Sequence, residues 1–292
     1  MGILSQLVMN ALIAGAAYAI LALGFNVVYG LTKFLNVAYG VVATVGAYGV
    51  FFFSRANGLP LWLGIILGIF AAGLASYLTD LLVFKPLRRR KASGMVQTIA
   101  SLGLMLLIES LLAIFFTSQL HNLADTETLP RVFNVGGTSI TSVQILTIAV
   151  AIILFAGLIL LLKKTAFGRA VRAISDDEEV AKMIGINTER IISIVFFLGG
   201  AVAGVAGILV GFDVGIFPTM GFFFLIEAAT ASIIGGIGNV YGGVIGAFLY
   251  AFAENLGVWK IDAAWKPAIG LGLLVLFLIF RPQGILPGVS KK

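Results

Sequence analysis

No cysteine occurs among the 292 residues, and histidine occurs once, as His121. Without cysteine there is no disulfide frame and no thiolate metal site. With one histidine, a multi-histidine metal centre or a clustered acid–base site has no second member. Charge is also scarce: 11% of residues carry one, against roughly 25% in an ordinary soluble protein. No G-x-x-x-x-G-K-[ST] phosphate loop is present, so the chain lacks the ATP-binding motif that such a loop supplies. What fills the chain is apolar: 60% hydrophobic residues, a mean hydropathy of +1.09, and 36 glycines with only 7 prolines. A soluble globule cannot hide that much apolar surface, because its outside must stay wettable. A soluble enzyme, a disordered chain and a disulfide-stapled secreted domain are all excluded. Abundant glycine without proline suits close helix–helix packing in a bilayer. The net charge of +6 and pI near 9.6 fit lysine and arginine that fix membrane orientation, not a nucleic-acid partner.

A membrane-crossing helix needs about 20 mostly apolar residues. Runs of this kind cover 5–31, 34–53, 60–84, 95–117, 143–162 and 191–212, with shorter ones at 222–237, 240–257 and 267–280. The runs are continuous and lack two-residue alternation, which argues against a barrel. The expected fold is an all-α polytopic membrane protein of eight or nine crossings. Its short or broken glycine-rich segments lie in the C-terminal half, and residues 1–292 form a single domain. No lysine or arginine precedes the first run, so it is expected to be a retained helix with its N-terminus outside. Alternating from there, fifteen of the nineteen basic residues fall on the cytoplasmic side, together with the C-terminus. Only Arg55, Arg131, Lys260 and Lys266 stay outside. That asymmetry supports the orientation.

Two cytoplasmic loops stand out. The basic run 85–91 reads most simply as an anchor on anionic headgroups. The loop 163–190 carries more. Ser175 with Glu178 three residues on makes a capping box, and Asp176, Asp177, Glu178 and Glu179 crowd a first turn where the helix dipole favours anions. Gly185 is a stop signal, so a helix is predicted over 176–184. Val180, Met183 and Ile184 share one face of it. A helix this short is not stable alone, and its apolar face needs either the bundle, the membrane interface or a soluble partner.

The stretch GRAVRAISDDEEVAKMIGINTERIISIVFFLGGAVAGVAGIL (168–209) resembles the coupling segment of branched-chain amino acid ABC transporter permeases of the LivH type. Other blocks agree in the same order: NALIAGAAYAILALGFNVVYGLTKFLNVAYG (10–40), VFKPLRRR (83–90), ASIIGGIGNVYGGVIGAFLY (231–250) and LFLIFRPQGILPG (276–288). The resemblance implies half of a transmembrane pore, paired with an identical or homologous second permease in a bacterial or archaeal-type plasma membrane. Two cytoplasmic ATPases would hold ATP and magnesium, an extracytoplasmic binding protein would deliver cargo, and this chain would bind no cofactor itself. It also implies that the ATPases are engaged by Gly168, Arg169, Arg172, Ser175, Asp176, Asp177, Glu178, Glu179, Val180, Ala181, Met183, Ile184, Gly185, Ile186 and Asn187. Ser175 and Glu178 would hold the helix ends, Val180, Met183 and Ile184 would make the contact, and Arg169 and Arg172 would orient the approach. Two positions depart from the family pattern. Tyr39-Gly40-Val41 stands where a His-Gly-acidic triplet is frequent, and Glu227 where a basic residue is frequent. Permeases for urea or short amides share the scaffold, so these departures bear on cargo more than on fold.

Intramembrane charge is costly and usually purposeful. Glu109 and Glu227 are therefore candidates for the transport path, facing the ammonium of an amino acid, with Asn36, Tyr39 and Asn239 as polar companions. A hydrogen-bonded carboxyl between helices is the simpler alternative. Asp80 is expected to pair with Lys85, and Asp213 and Glu254 to sit at the interface. The segment 36–40 is echoed at 239–242 (Asn-Val-x-Tyr-Gly against Asn-Val-Tyr-Gly), a faint sign of an internal repeat. An ion-coupled secondary transporter or a passive channel would also show broken helices and buried acids. Neither needs a capped amphipathic cytoplasmic knob.

Overall fold

A computed structural model describes residues 2–123, 131–135, 138–260 and 262–286. Lys291 and Lys292, two of the fifteen basic residues counted on the cytoplasmic side, lie outside the described residues. Each of the nine apolar runs is helical. They form α1 (Gly2–Thr32), α2 (Tyr39–Val50), α3 (Leu61–Thr79), α5 (Gly94–Phe116), α6 (Ser142–Lys164), α9 (Thr188–Val214), α10 (Met220–Gly235), α11 (Val240–Gly257) and α12 (Lys266–Phe280). The short helices α4 (Lys85–Arg89), α7 (Ala166–Asp176) and α8 (Glu178–Met183) lie at the basic end. A small antiparallel hairpin of β1 (Val132–Val135) and β2 (Thr138–Thr141) lies at the opposite end, pairing Phe133 with Ile140. Two π-helical stretches, Phe51–Ala56 and Asp80–Phe84, continue α2 and α3.

Fewer helices pass as full crossings than the eight or nine expected. Among the described residues five are long and apolar enough, or six if the pair Met220–Gly235 and Val240–Gly257, bent by 112°, is one broken span. α12 is apolar but short. The bend occurs at Gly236, whose φ of +116° no residue with a Cβ adopts easily.

α1 is the axis of the bundle, buried along most of its length with α9, α10 and α11 around it. α5 and α6 are just as apolar, yet they leave Ile99, Ile114, Ile152 and Ile153 more than 60% exposed. A bilayer gives helices no hydrophobic reason to associate, so close approach through small residues must do it. Gly200, Gly204 and Gly207 meet that expectation. A Cβ on Gly204 would lie 2.5 Å from that of Ala72 on α3, and one on Gly207 would strike the Ala43 carbonyl of α2.

At the basic end, Asp80 is fully buried and departs from expectation. Its Oδ1 accepts from Arg88 at 2.7 Å and its Oδ2 from Ser193 of α9 at 2.6 Å. Lys85 stands instead 4.0 Å from Glu189. The reason is the π-helical turn over Asp80–Phe84: its wider winding shifts the register, so the side chain eight residues on reaches the carboxylate.

Candidate functional site

The loop 163–190 is more ordered than expected. α7 begins at Thr165, whose hydroxyl accepts from Gly168 N at 2.9 Å and donates to Leu161 O at 2.6 Å. Gly168 is required: a Cβ there would strike the Leu161 and Leu162 carbonyls. Arg172 reaches back to donate to Leu162 O, while Arg169 stays exposed. Val171 and Ile174 are buried in a cluster with Val27, Val28 and Leu31 of α1 and Phe196 of α9. Sequence reasoning missed α7, although the spacing of Phe167, Val171 and Ile174 at i, i+4 and i+7 marks one face.

The predicted helix over 176–184 is corrected to Glu178–Met183, and the Ser175–Glu178 capping box does not form. Ser175 Oγ is already committed, donating to the Gly30 carbonyl of α1 at 3.0 Å. Asp177 caps instead, its carboxylate accepting from Glu179 N at 2.8 Å and Val180 N at 3.1 Å. An ionised cap at a helix start combines hydrogen bonding with a favourable dipole contact. Asp176 ends α7, and Glu178 pairs with Lys182 at 2.7 Å and accepts from Thr188 at 3.3 Å. Gly185, at φ +86°, stops the helix as expected. Gly185 N donates to Lys182 O and Ile186 N to Ala181 O, a Schellman closure. Asn187 then caps α9 through Arg190 N at 3.1 Å.

The result is a short helix closed at both ends and held to the bundle from one side. Ala181 faces inward at 1% exposure, while Val180, Met183 and Ile184 stand 53%, 83% and 69% exposed. Three large apolar side chains thus project from the polar end of the bundle with nothing on them.

The second feature is a cavity of about 440 Å³ among α1, α6, α9, α10, α11 and α12, toward the end of the bundle opposite the knob. Its polar lining includes Asn10, Tyr18, Gln144, Asp213, Glu227 and Lys266. Gln144 donates to Asp213 at 3.2 Å and Lys266 to Asn255 at 3.1 Å. Glu254 is buried rather than interfacial, and accepts from Tyr18 at 2.9 Å. An aromatic hydroxyl reachable from α1 satisfies the carboxylate, so it need not face water.

The expected path residues separate. Glu227 lines the cavity, whereas Glu109 lies on α5 away from it. Tyr39 donates to Leu21 O at 2.9 Å, and Asn239 caps α11 through Tyr241 N and Gly242 N. Asn36 is buried, with its Oδ1 lacking a partner, and does not cap α2 as Asn239 caps α11. The sequence echo therefore joins unlike structures. His121 packs its ring 4.7 Å from that of Phe51, and its Nε2 lies 2.7 Å from Phe116 O. Among the described residues, no group of three or more His, Cys, Asp or Glu comes together to hold a metal ion.

Comparisons with known proteins agree with this geometry. Residues 7–280 match the family model described as branched-chain amino acid transport system / permease component. The chain is 33% identical to the high-affinity branched-chain amino acid transport system permease protein BraD of Pseudomonas aeruginosa, over 99% of this chain and 97% of that one. It is 31% identical to the permease protein LivH of Escherichia coli strain K12, over 98% of this chain and 97% of that one. A solved structure of PsaBC from Streptococcus pneumoniae in complex with Fab aligns with 94% of this chain and 91% of that one. Its TM-score is 0.50 at 17% identity, a likeness of fold. A helical bundle with a capped polar-end knob and no phosphate loop of its own thus meets a match along nearly its whole length: the chain belongs to the branched-chain amino acid transport permease family, the membrane components of ABC importers that work with ATPases and binding proteins.

Proposed function

We propose that this chain forms half of the pore of an inner-membrane importer for branched-chain or similar amino acids, with its N-terminus outside and its C-terminus cytoplasmic. A second permease, identical or homologous, completes the pore. Two cytoplasmic ATPases bind and hydrolyse ATP with magnesium, and an extracytoplasmic binding protein delivers the cargo. The named relatives are branched-chain amino acid permeases, which favours that cargo over urea or short amides.

The observation that carries the reading is the exposed triad Val180, Met183 and Ile184 on a helix closed at both ends. A rigid unit of this kind transmits force, whereas a frayed loop absorbs it. Directly before it, Ser175 of α7 hydrogen-bonds to Gly30 of α1 and ties this segment to the bundle's axis, so motion of a docked ATPase reaches the pore. Glu227, on the cavity wall, offers a carboxylate to a passing ammonium.

The test is co-purification of the ATPases with Val180→Asp and Ile184→Asp variants, together with uptake of labelled leucine. Loss of both, with the variant permeases still folded and inserted, is the expected result. Normal ATPase retention and uptake would refute the docking role.

A further inference from the structure

A second cavity, of about 430 Å³, lies at the basic end between α3 with its continuation and the start of α9. Lys85, Arg89 and Arg190 bring three positive charges to it, and Glu189 brings one negative. Asp80 adds nothing to this balance, since Arg88 pairs with it from within the bundle. The three cations suit a phosphate. One atom calls for more than that. Glu189 Oε2 is buried and accepts no hydrogen bond, although Lys85 Nζ and Arg89 Nε each stand 4.0 Å away. At that distance neither bonds to it. A buried acceptor left open is costly, which suits an occupant that brings a donor as well as a negative charge.

The position of the pocket narrows the class. Tyr77, on the last turn of α3, lines it, and tyrosine favours the headgroup level of a bilayer. Exposed Leu74 and Leu78 flank Tyr77 on α3, and exposed Leu82 follows on its π-helical continuation. A polar pocket on a helix with such apolar side chains fits one molecule with a polar head and acyl chains. We propose that this pocket binds the headgroup of a phospholipid that carries a phosphate and a hydrogen-bond donor, phosphoethanolamine in particular. The phosphate sits among Lys85, Arg89 and Arg190, where arginine's planar fork suits it, and the ammonium donates to Glu189 Oε2. A choline headgroup has the same charge but no N–H, so it leaves that oxygen open. The site adjoins Asn187, which caps α9 directly after the knob, so a bound lipid braces the point where the knob joins the bundle. This assignment depends on the chain spanning a membrane, not on the identity of the cargo or the ATPase docking.

The experiment is native mass spectrometry of the full-length chain, titrated with phosphatidylethanolamine and phosphatidylcholine of matched acyl chains. Wild type should retain the ethanolamine lipid about tenfold better, the scale of one charge-assisted hydrogen bond. Arg89→Gln/Arg190→Gln should lose both lipids; both side chains are exposed, so folding is kept, with the elution volume as check. Glu189→Gln should bind both lipids equally. Equal binding by wild type, or unchanged binding in the double arginine variant, overturns the proposal. Retention of O-phosphoethanolamine by wild type with neither lipid retained would assign the pocket to a soluble ester and overturn the lipid. Unchanged lipid binding with lost ATPase co-purification in the arginine variant would assign the patch to the partner instead.

Discussion

Replacing Asp80 by leucine should damage the bundle far more than its place at a helix end suggests. The carboxylate is fully buried, and the Arg88 side chain facing it is only 11% exposed. Removing the acid leaves a buried guanidinium whose Nε and Nη2 already lack partners. Breaking a buried pair from one side costs about 3–5 kcal/mol. At about 2–4 °C per kcal/mol for a large domain, the melting temperature should fall by roughly 10 °C. Ser193 loses its acceptor too, which adds to the loss. Asp80→Leu/Arg88→Leu should recover most of it, because an apolar pair of similar volume is often neutral against a buried ion pair. The coupling between the two sites is then the measured quantity. Thermal unfolding followed by fluorescence-detected size exclusion, with parent, both single variants and the double, checks this. A single variant melting within about 2 °C of the parent, or a double variant as damaged as the two singles combined, would refute the reasoning.

Further outcomes follow from the same contacts. Gly207→Val should abolish the folded peak, because its side chain would enter the α2 backbone at Ala43, whereas Gly103→Ala, in open space, should gain up to about 1 kcal/mol from helix propensity. Asp177→Ala should cost about 1 kcal/mol in the knob and raise its amide exchange, and Ser175→Ala should leave that exchange at the start of α8 unchanged. If Ser175→Ala frays α8 as much as Asp177→Ala does, the cap assignment is wrong. Gly185→Val forces a β-branched residue to φ +86° and should lower uptake without lowering the amount of inserted protein, measured by parallel transport and membrane blots.

Much of the architecture was legible because the bilayer demands long apolar runs, and all nine became helices. Which of them sit in the core was not legible: α1 and α6 are alike in composition, yet only α1 is wrapped on all sides. The knob's exposed face was readable, since three apolar residues on a polar loop have few explanations. Its exact start was not, because Ser175 and Asp177 are both good caps. The choice was made by a carbonyl 145 residues away, that of Gly30. Asp80's partner was hidden by a π-helical turn that a 3.6-residue period does not foresee. The cavity around Glu227 draws on six helices, so no local pattern announces it.

The bend between α10 and α11 has a consequence for biosynthesis. Its free carbonyls at Ile234 and Gly235 are taken by the amides of Ile285 and Leu286, at 3.0 and 2.9 Å. Those partners are made some fifty residues later than the carbonyls they satisfy. Until the segment around residue 285 has been made and has folded back, the two carbonyls lack these partners, so the corner of the most bent helix pair closes later than the helices that form it.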